Sequence, residues 1–445
     1  MAQSNEYKLK RLQICYPDNP NQPILPNTKD IVSEITIYSS IETPYIKADV
    51  VINDPGEGFH DLLKGNELLR FEIESDFKQA GGPITFKCDL FCHRISDRVK
   101  SERQEAFKME FITQDTLINE WKRVNKVYKK QKISDIVTDL LKKELGTKEL
   151  TNAIESTDRP VTIVSPNWRP FDAISWTCHH ATRSSKTTQT GYVFYFSARE
   201  GYVFRSVDYL FEQNVRLPQL QEFVYRQKNL GAPGQTGKLN PQLDDIVSLD
   251  YVKYNDVTKD LEQMRLGSYA GTVTGIDMCD LNTTQVKRYR LSEMFNKMSH
   301  AEKVKPFGKS VLKIDQRYTR QYLVGLPTYM YSDEGKGSGL GALSGNVVDK
   351  TMEELLYSTL RYVSMKHFVL NIKIPGNTTI SAGDCIKITI PTKDRNKGAS
   401  QALTDDPIYS GKYVVASVIH QWTPDKLVTM CTIIRDTQWK DEFKK

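Results

Sequence analysis

The chain has 445 residues, 39% of them hydrophobic and 26% charged, with a formal net charge of +6. That is too much apolar material for a disordered chain and too small a charge excess for a dedicated nucleic-acid binder. No apolar run approaches the roughly 18 residues of a bilayer-crossing helix, and the opening stretch MAQSNEYKLKRL has no apolar core of the export-leader kind.

At roughly 150 residues per domain, the length suggests about three domains. The seven cysteines (Cys15, Cys88, Cys92, Cys178, Cys279, Cys385 and Cys431) are odd in number and scattered, with no Cys-x-x-Cys pair. Reduced thiols in a protein assembled in a cytosol are expected, not a disulfide framework or a zinc ribbon.

The first 120 residues read as β. Ile46, Ala48, Val50 and Ile52 alternate with Lys47, Asp49 and Val51, and Phe107, Met109 and Phe111 alternate with Lys108 and Glu110. Phe71 and Ile73 sit among Arg70, Glu72 and Glu74; Ile84, Phe86, Cys88 and Leu90 repeat the pattern. A period of two predicts strands with one wet face. Turns at Asn53–Gly56 and Ala80–Pro83 separate them, which predicts an antiparallel barrel or sandwich.

The period then changes. Ile133, Ile136, Val137, Leu140, Leu141 and Leu145 make one helical face, with Ser134 as expected N-cap and Gly146 as the closing residue. A second helix is expected from Pro170, placing Phe171, Ile174 and Cys178 inward. A hairpin, Tyr192–Phe196 and Tyr202–Arg205, completes a small α/β module over 121–225. Strand-like stretches resume at Ile246–Tyr254 and Gly271–Met278. Residues 229–241 read as a loop and 332–346 as a Gly/Ser-rich connector. Thr351 and Glu354 form a capping box that predicts a helix start. The last 80 residues are again β: Phe368, Leu370, Ile372 and Ile374 alternate, as do Ile386, Ile388 and Ile390. Tyr413–Trp422 and Leu427–Arg435 read as a hairpin turned at Thr423–Lys426.

Motifs for chemistry are weak. Gly231 to Gly237-Lys238 has five residues between its glycines, where a phosphate loop has four, and Leu239 where Ser or Thr is needed. The Gly335–Gly341 run has no strand before it, so a linker is expected. His179 and His180 are adjacent on a predicted helix and point about 100° apart, a poor metal pair. Cys88 and Cys92 fit one face of a strand. Asp244-Asp245 and Asp405-Asp406 fall in loops, unlike a glycosidase dyad. No Gly-x-Ser-x-Gly and no His-Glu-x-x-His occurs. A basic patch, Lys122, Arg123, Lys126, Lys129, Lys130 and Lys132, is either a solvated face or a docking surface for an acidic partner. The expectation is a β-rich binding or scaffolding protein with no catalytic residues, no cofactor and no metal.

Two segments carry a resemblance. The first runs from Ser165 through Trp168, Pro170, Phe171, Ile174 and Trp176, then Gly191–Phe196 and Glu200–Ser206. The second is Leu370–Thr378, containing Pro375, Gly376 and Asn377, then Ala382-Gly383-Asp384, Ile390-Pro391, Ser410–Tyr413, His420 and Arg435-Asp436. In these turns and aromatics the chain resembles the central baseplate hub proteins of contractile-tailed bacteriophages. That family includes the hub half of type VI secretion spike proteins and phage late-control proteins. The resemblance implies an α+β, mainly β fold: two similar antiparallel, tube-like β-barrels linked by a small α/β module plus an insertion, three copies closing into a ring. The expected limits are 1–120 for the first barrel and 121–225 for the module. Residues 226–365 would hold the start of the second barrel with the insertion and linker, and 366–445 its remainder.

The resemblance further implies a homotrimer that joins a sixfold tail tube, through its initiator ring, to a threefold central spike. Other baseplate proteins would contact it, DNA would only pass through the bore, and no membrane is involved. The site would be the virion tail, assembled in the host cytoplasm. Pro375, Gly376, Asn377, Gly383, Asp384 and Gly411 are expected as turn determinants of the second barrel, with glycine supplying positive φ. The hub of a bacterial injection or secretion machine and a tail-associated peptidoglycan hydrolase are the alternatives.

Overall fold

The computed structural model describes residues 7–24, 28–55, 58–75, 84–101, 104–225, 247–255, 260–277, 284–301, 318, 320–326, 345–392, 404–406 and 408–437. The turn at 80–83, the near-phosphate loop, the 335–341 glycines, Asp244-Asp245, Cys279 and most of the 332–346 connector lie outside them.

Strands form where the alternation falls. The first β unit contains β1 (Tyr7–Cys15), β2 (Val32–Ser40), β3 (Lys47–Asp54), β4 (Leu68–Ser75), β5 (Ile84–Lys100) and β6 (Glu105–Ile112). The module holds β7 (Val124–Lys132), β8 (Ala153–Ile154), β9 (Pro160–Trp168), β10 (Tyr192–Ser197) and β11 (Gly201–Ser206). Then come β12 (Glu222–Tyr225), β13 (Ser248–Leu249) and β14 (Tyr251–Asn255). The insertion contributes β15 (Ala270–Asp277), β16 (Thr284–Arg290) and β17 (Arg320–Leu326). Last are β18 (Phe368–Pro375), β19 (Cys385–Thr389), β20 (Pro391–Thr392), β21 (Thr404–Asp405), β22 (Gly411–Thr423) and β23 (Lys426–Arg435).

The two β units are fused directly. One 13-stranded sheet runs β1-β4-β5-β6-β3-β2-β22, and β22 continues both to β19-β12-β13 and to β23-β18-β14. The joint is the antiparallel β2–β22 ladder, from Ile35 opposite Trp422 to Ser40 opposite Ser417. The first unit shares one continuous core with the module, and the second unit has a separate one. Ile35, Val50, Phe71, Met109 and Phe111 fill the first; Phe368, Leu370, Ile372, Ile386, Ile388 and Ile433 fill the second. The expected β22–β23 hairpin serves both. Its tip sends Trp422 and Leu427 into the first core, and its base sends Tyr413, Val415 and Cys431 into the second. Trp422 meets Phe71 edge to face at 6.2 Å. Burying each large apolar side chain contributes about 1.5–3 kcal/mol.

The helix expected from 133 runs as α-helix over Ile133–Asp139 and widens to a π-helix over Leu140–Leu145, and Gly146 ends it at φ +74°. Its cap differs from expectation. Ser134 lies inside the helix, and its backbone N–H donates to the Thr157 hydroxyl at 3.1 Å. A threonine from a distant segment does the work of a local cap, which spacing along one helix cannot reveal. The Pro170–Cys178 helix and the β10–β11 hairpin stand as expected.

The Thr351–Glu354 box caps nothing. The helix spans Gly345–Ser364, so Thr351 is in its interior and buried. Glu354 forms a buried ion pair with Arg159 at 2.9 Å instead. This helix covers one face of the three-stranded β16-β15-β17 sheet, through Met352, Leu355 and Leu360 against Val273 and Tyr289.

The helix is locked to the rest of the molecule by charge. Arg361, fully buried, pairs with Asp208 at 3.2 Å and with Asp436 at 2.8 Å. Asp436 also meets His300 at 2.7 Å, and the Tyr357 hydroxyl donates to Asp208 at 3.0 Å. Burial alone would raise the Asp436 carboxyl; the Arg361 guanidinium and His300 outweigh it and hold it at about 2.

Candidate functional site

A continuous, mainly polar surface follows from the joint. Strands β5-β6-β3-β2-β22-β23-β18-β14 lie side by side, and the period of two sends every second residue of each outward. One row across it reads Arg94, Glu110, Asp49, Thr36 and Gln421. The next reads Lys47, Tyr38, Ile419, Met430, Lys373 and Tyr251. A third reads Ser40, Ser417, Thr432, Asn371 and Lys253.

The chemistry changes along the rows. On the first unit, opposite charges interlock: Lys47 bridges Glu110 at 2.7 Å and Asp49 at 3.3 Å, and Lys108 meets Asp49 at 2.9 Å. The Lys47 ammonium, hydrogen-bonded to Glu110, holds that carboxyl below its usual range. On the second unit the face carries hydroxyls, an amide and the cations Lys253 and Lys373. Where the same face turns apolar, at Val414, Ala416 and Ile434, the module covers it with Val193, Val203, Leu210 and Phe211. Polar residues thus predominate on the part left open to water, where Ile419 and Met430 are the half-buried apolar exceptions.

Three of the expected turn determinants, Asn377, Gly383 and Asp384, are held by the module. Asn377 is fully buried: its side-chain amide donates to the Leu220 carbonyl at 2.8 Å, and its Oδ1 accepts from the Thr379 N–H and hydroxyl at 3.0 and 2.6 Å. Asp384 takes the Arg199 guanidinium with both oxygens, at 2.5 and 3.0 Å, and the Ser381 N–H at 3.0 Å. The Gly383 N–H donates to the Val415 carbonyl at 2.8 Å, tying the turn to β22. Gly383 has φ +85°, and a Cβ there would overlap the Tyr195 hydroxyl.

Gly376 differs from expectation. It is absent from the positive-φ glycines; glycine is needed because a Cβ would lie 2.6 Å from the Leu427 side chain. Pro375 ends β18 opposite Val428. Gly411, φ +136°, starts β22 opposite Ile388, apart from the cluster. The module partners Arg199, Gln213, Arg216 and Gln221 were not legible, because nothing in local spacing marks a contact about 160–185 residues distant.

The basic patch is divided. Lys126 bridges Asp139 at 2.5 Å and Glu144 at 3.1 Å and so is neutralised. Lys122 follows the Gln114–Trp121 helix and is half-buried. Arg123, Lys129, Lys130 and Lys132 are exposed, the last three on β7.

The architecture defines a mainly β protein in which two units share one mostly antiparallel sheet. No protein-family model and no curated protein matches the chain. Solved structures do. A tail protein from Neisseria meningitidis MC58 aligns at 10% identity and TM-score 0.51, over 97% of this chain and 98% of its own. The 43 kDa tail protein of prophage MuSo2 from Shewanella oneidensis aligns at 10% identity and TM-score 0.48, over 91% and 94%. A component of the E. coli type VI secretion system aligns at 7% identity and TM-score 0.38, over 98% and 79%. The Neisseria alignment runs nearly end to end in both chains, so the chain has the fold of that tail protein.

Proposed function

We propose that the protein is the structural hub of a contractile phage tail baseplate, a trimeric symmetry adaptor between a sixfold tail tube and a threefold central spike. One observation carries this reading: the β2–β22 ladder joins two β units into a single eight-strand polar face. Two β units per chain are what three copies need to present six to a tube. The polar face is then the wall of the bore. Its cations are matched by Asp49 and Glu110 on one half and diluted by hydroxyls on the other, so a passing polyanion meets no dense positive band. In this reading the chain comprises a first unit over 1–120, the module over 121–225, a second unit beginning within 226–365 and completed by 366–445. Pro375, Gly376, Asn377, Gly383, Asp384 and Gly411 shape the second unit, and the exposed part of the patch (Arg123, Lys129, Lys130, Lys132) faces an acidic neighbour. The role is scaffolding, in the virion tail.

Sedimentation equilibrium of the pure protein, and of its mixture with the spike protein, tests the trimer. A mass of three chains is expected in at least one; a monomer in every mixture overturns the reading. A cell-wall zymogram tests the scaffolding role, and clearing by purified protein would contradict it.

A further inference from the structure

The insertion builds a groove that the hub reading does not use. It lies between β16, the Gly345–Ser364 helix and the Thr187-Thr188 loop of the module, with a volume of about 440 Å³. Its floor is apolar: Tyr289, Leu356 and Tyr357 are buried there, beside Met294. Its rim is charged, and the charges do not balance. Each of the three lining carboxylates is already met: Glu353 by Lys287 at 3.2 Å, Glu354 by Arg159 at 2.9 Å, Glu293 by Arg290 at 3.3 Å. Arg288, Lys297 and Lys350 also line the groove and have no carboxylate partner among the described residues. Arg288 lies over the Tyr318 ring at 5.2 Å.

We propose that this groove is a docking site for an acidic peptide segment with an apolar residue at its centre, supplied by a neighbouring protein. The apolar floor suits a side chain and offers little to a bare phosphate. The spare cations come from three different chain segments, one from β16, one from the turn after Met294 and one from the helix, so they suit carboxylates spaced along a peptide better than one compact anion. The inference gives the insertion a partner-binding role and holds whether or not three copies close into a ring.

Fluorescence anisotropy tests it with the full chain and a fluorescein-labelled peptide, Asp-Leu-Glu-Phe-Asp-Glu. Saturable binding is expected, weakening at least tenfold for the peptide with Asn and Gln in place of its acids. The Lys297→Glu/Lys350→Glu variant, changed at two exposed positions and expected to melt as the parent does, should also bind at least tenfold more weakly. No saturable binding, equal binding of the amide peptide, or unchanged affinity in the variant overturns the proposal. Tighter capture of a 12-nucleotide single-stranded DNA through the same lysines also overturns it, because the site would then be a general polyanion site.

Discussion

The two β units share a sheet but are secured in opposite ways. The first fixes its register on the outside, through a lattice in which Lys47, Lys108 and Arg94 each find Asp49 or Glu110. Any one pair is redundant with its neighbours and partly screened by water. The second fixes its register from within, through single buried groups: Asn377, Asp384, Gly383 and, at the end of β23, Asp436. The comparison teaches that damage should be graded by burial and redundancy, not by the number of charges a region displays.

The most severe test is Arg361→Met. It strands Asp208 and Asp436 as buried carboxylates and should cost about 3–5 kcal/mol in urea unfolding; a loss below about 1 kcal/mol would show that the pair is solvated. Next comes Gly383→Ala. It adds a Cβ in the left-handed region against the Tyr195 hydroxyl, and about 3 kcal/mol is expected in the same measurement.

Acid should distinguish the units too. Asp436 is held at about 2 when folded, below its ordinary 3.8, so the stability it contributes is complete above about pH 5 and is lost as pH falls through 4 toward 2. That loss should reach about 2 kcal/mol in a pH series of unfolding midpoints, and Asp436→Asn should flatten it. His420, buried at the joint, acts earlier. Burial lowers its pKa to about 4, only partly opposed by a backbone hydrogen bond with Ile380. The unfolded chain therefore binds that proton first, and stability should fall between about pH 6.5 and 4; a flat response there would mean His420 reaches water.

Asn377→Ala removes a donor and an acceptor from a closed site and should cost about 2 kcal/mol. The smallest effect belongs to the first unit. Lys47→Gln should change stability by less than about 1 kcal/mol, and less still in molar salt, as half-exposed ion pairs do. An effect as large as that of Asn377→Ala would abolish the contrast between the units.

Legibility in the sequence follows the same divide. Periods of two and of 3.6 recovered the strands on both sides of the module and the helices at Ile133 and Pro170, because those patterns are local. They also put Lys47, Asp49, Lys108 and Glu110 on one outward face. What stayed hidden was long-range. Thr351 and Glu354 have capping-box spacing, yet Glu354 answers Arg159, 195 residues earlier. Gly376 reads as a left-handed turn, yet its constraint is the approach of Leu427 from β23. Arg361 sits four residues after Tyr357 on a helix whose partners, Asp208 and Asp436, come from two other parts of the chain. The direct joint between the β units was equally invisible, since Ile35 and Trp422 carry no mark of each other.

The joint has a consequence for synthesis. The first unit's core needs Trp422 and Leu427, and the Tyr7 hydroxyl donates to the Thr423 carbonyl, 416 residues onward. While the ribosome is still making the middle of the chain, the amino-terminal strands lack the hairpin that closes over them. They must wait, edges unsheltered, for residues more than 400 positions onward to emerge. A nascent fragment that stops short of β22 leaves both β units unfinished.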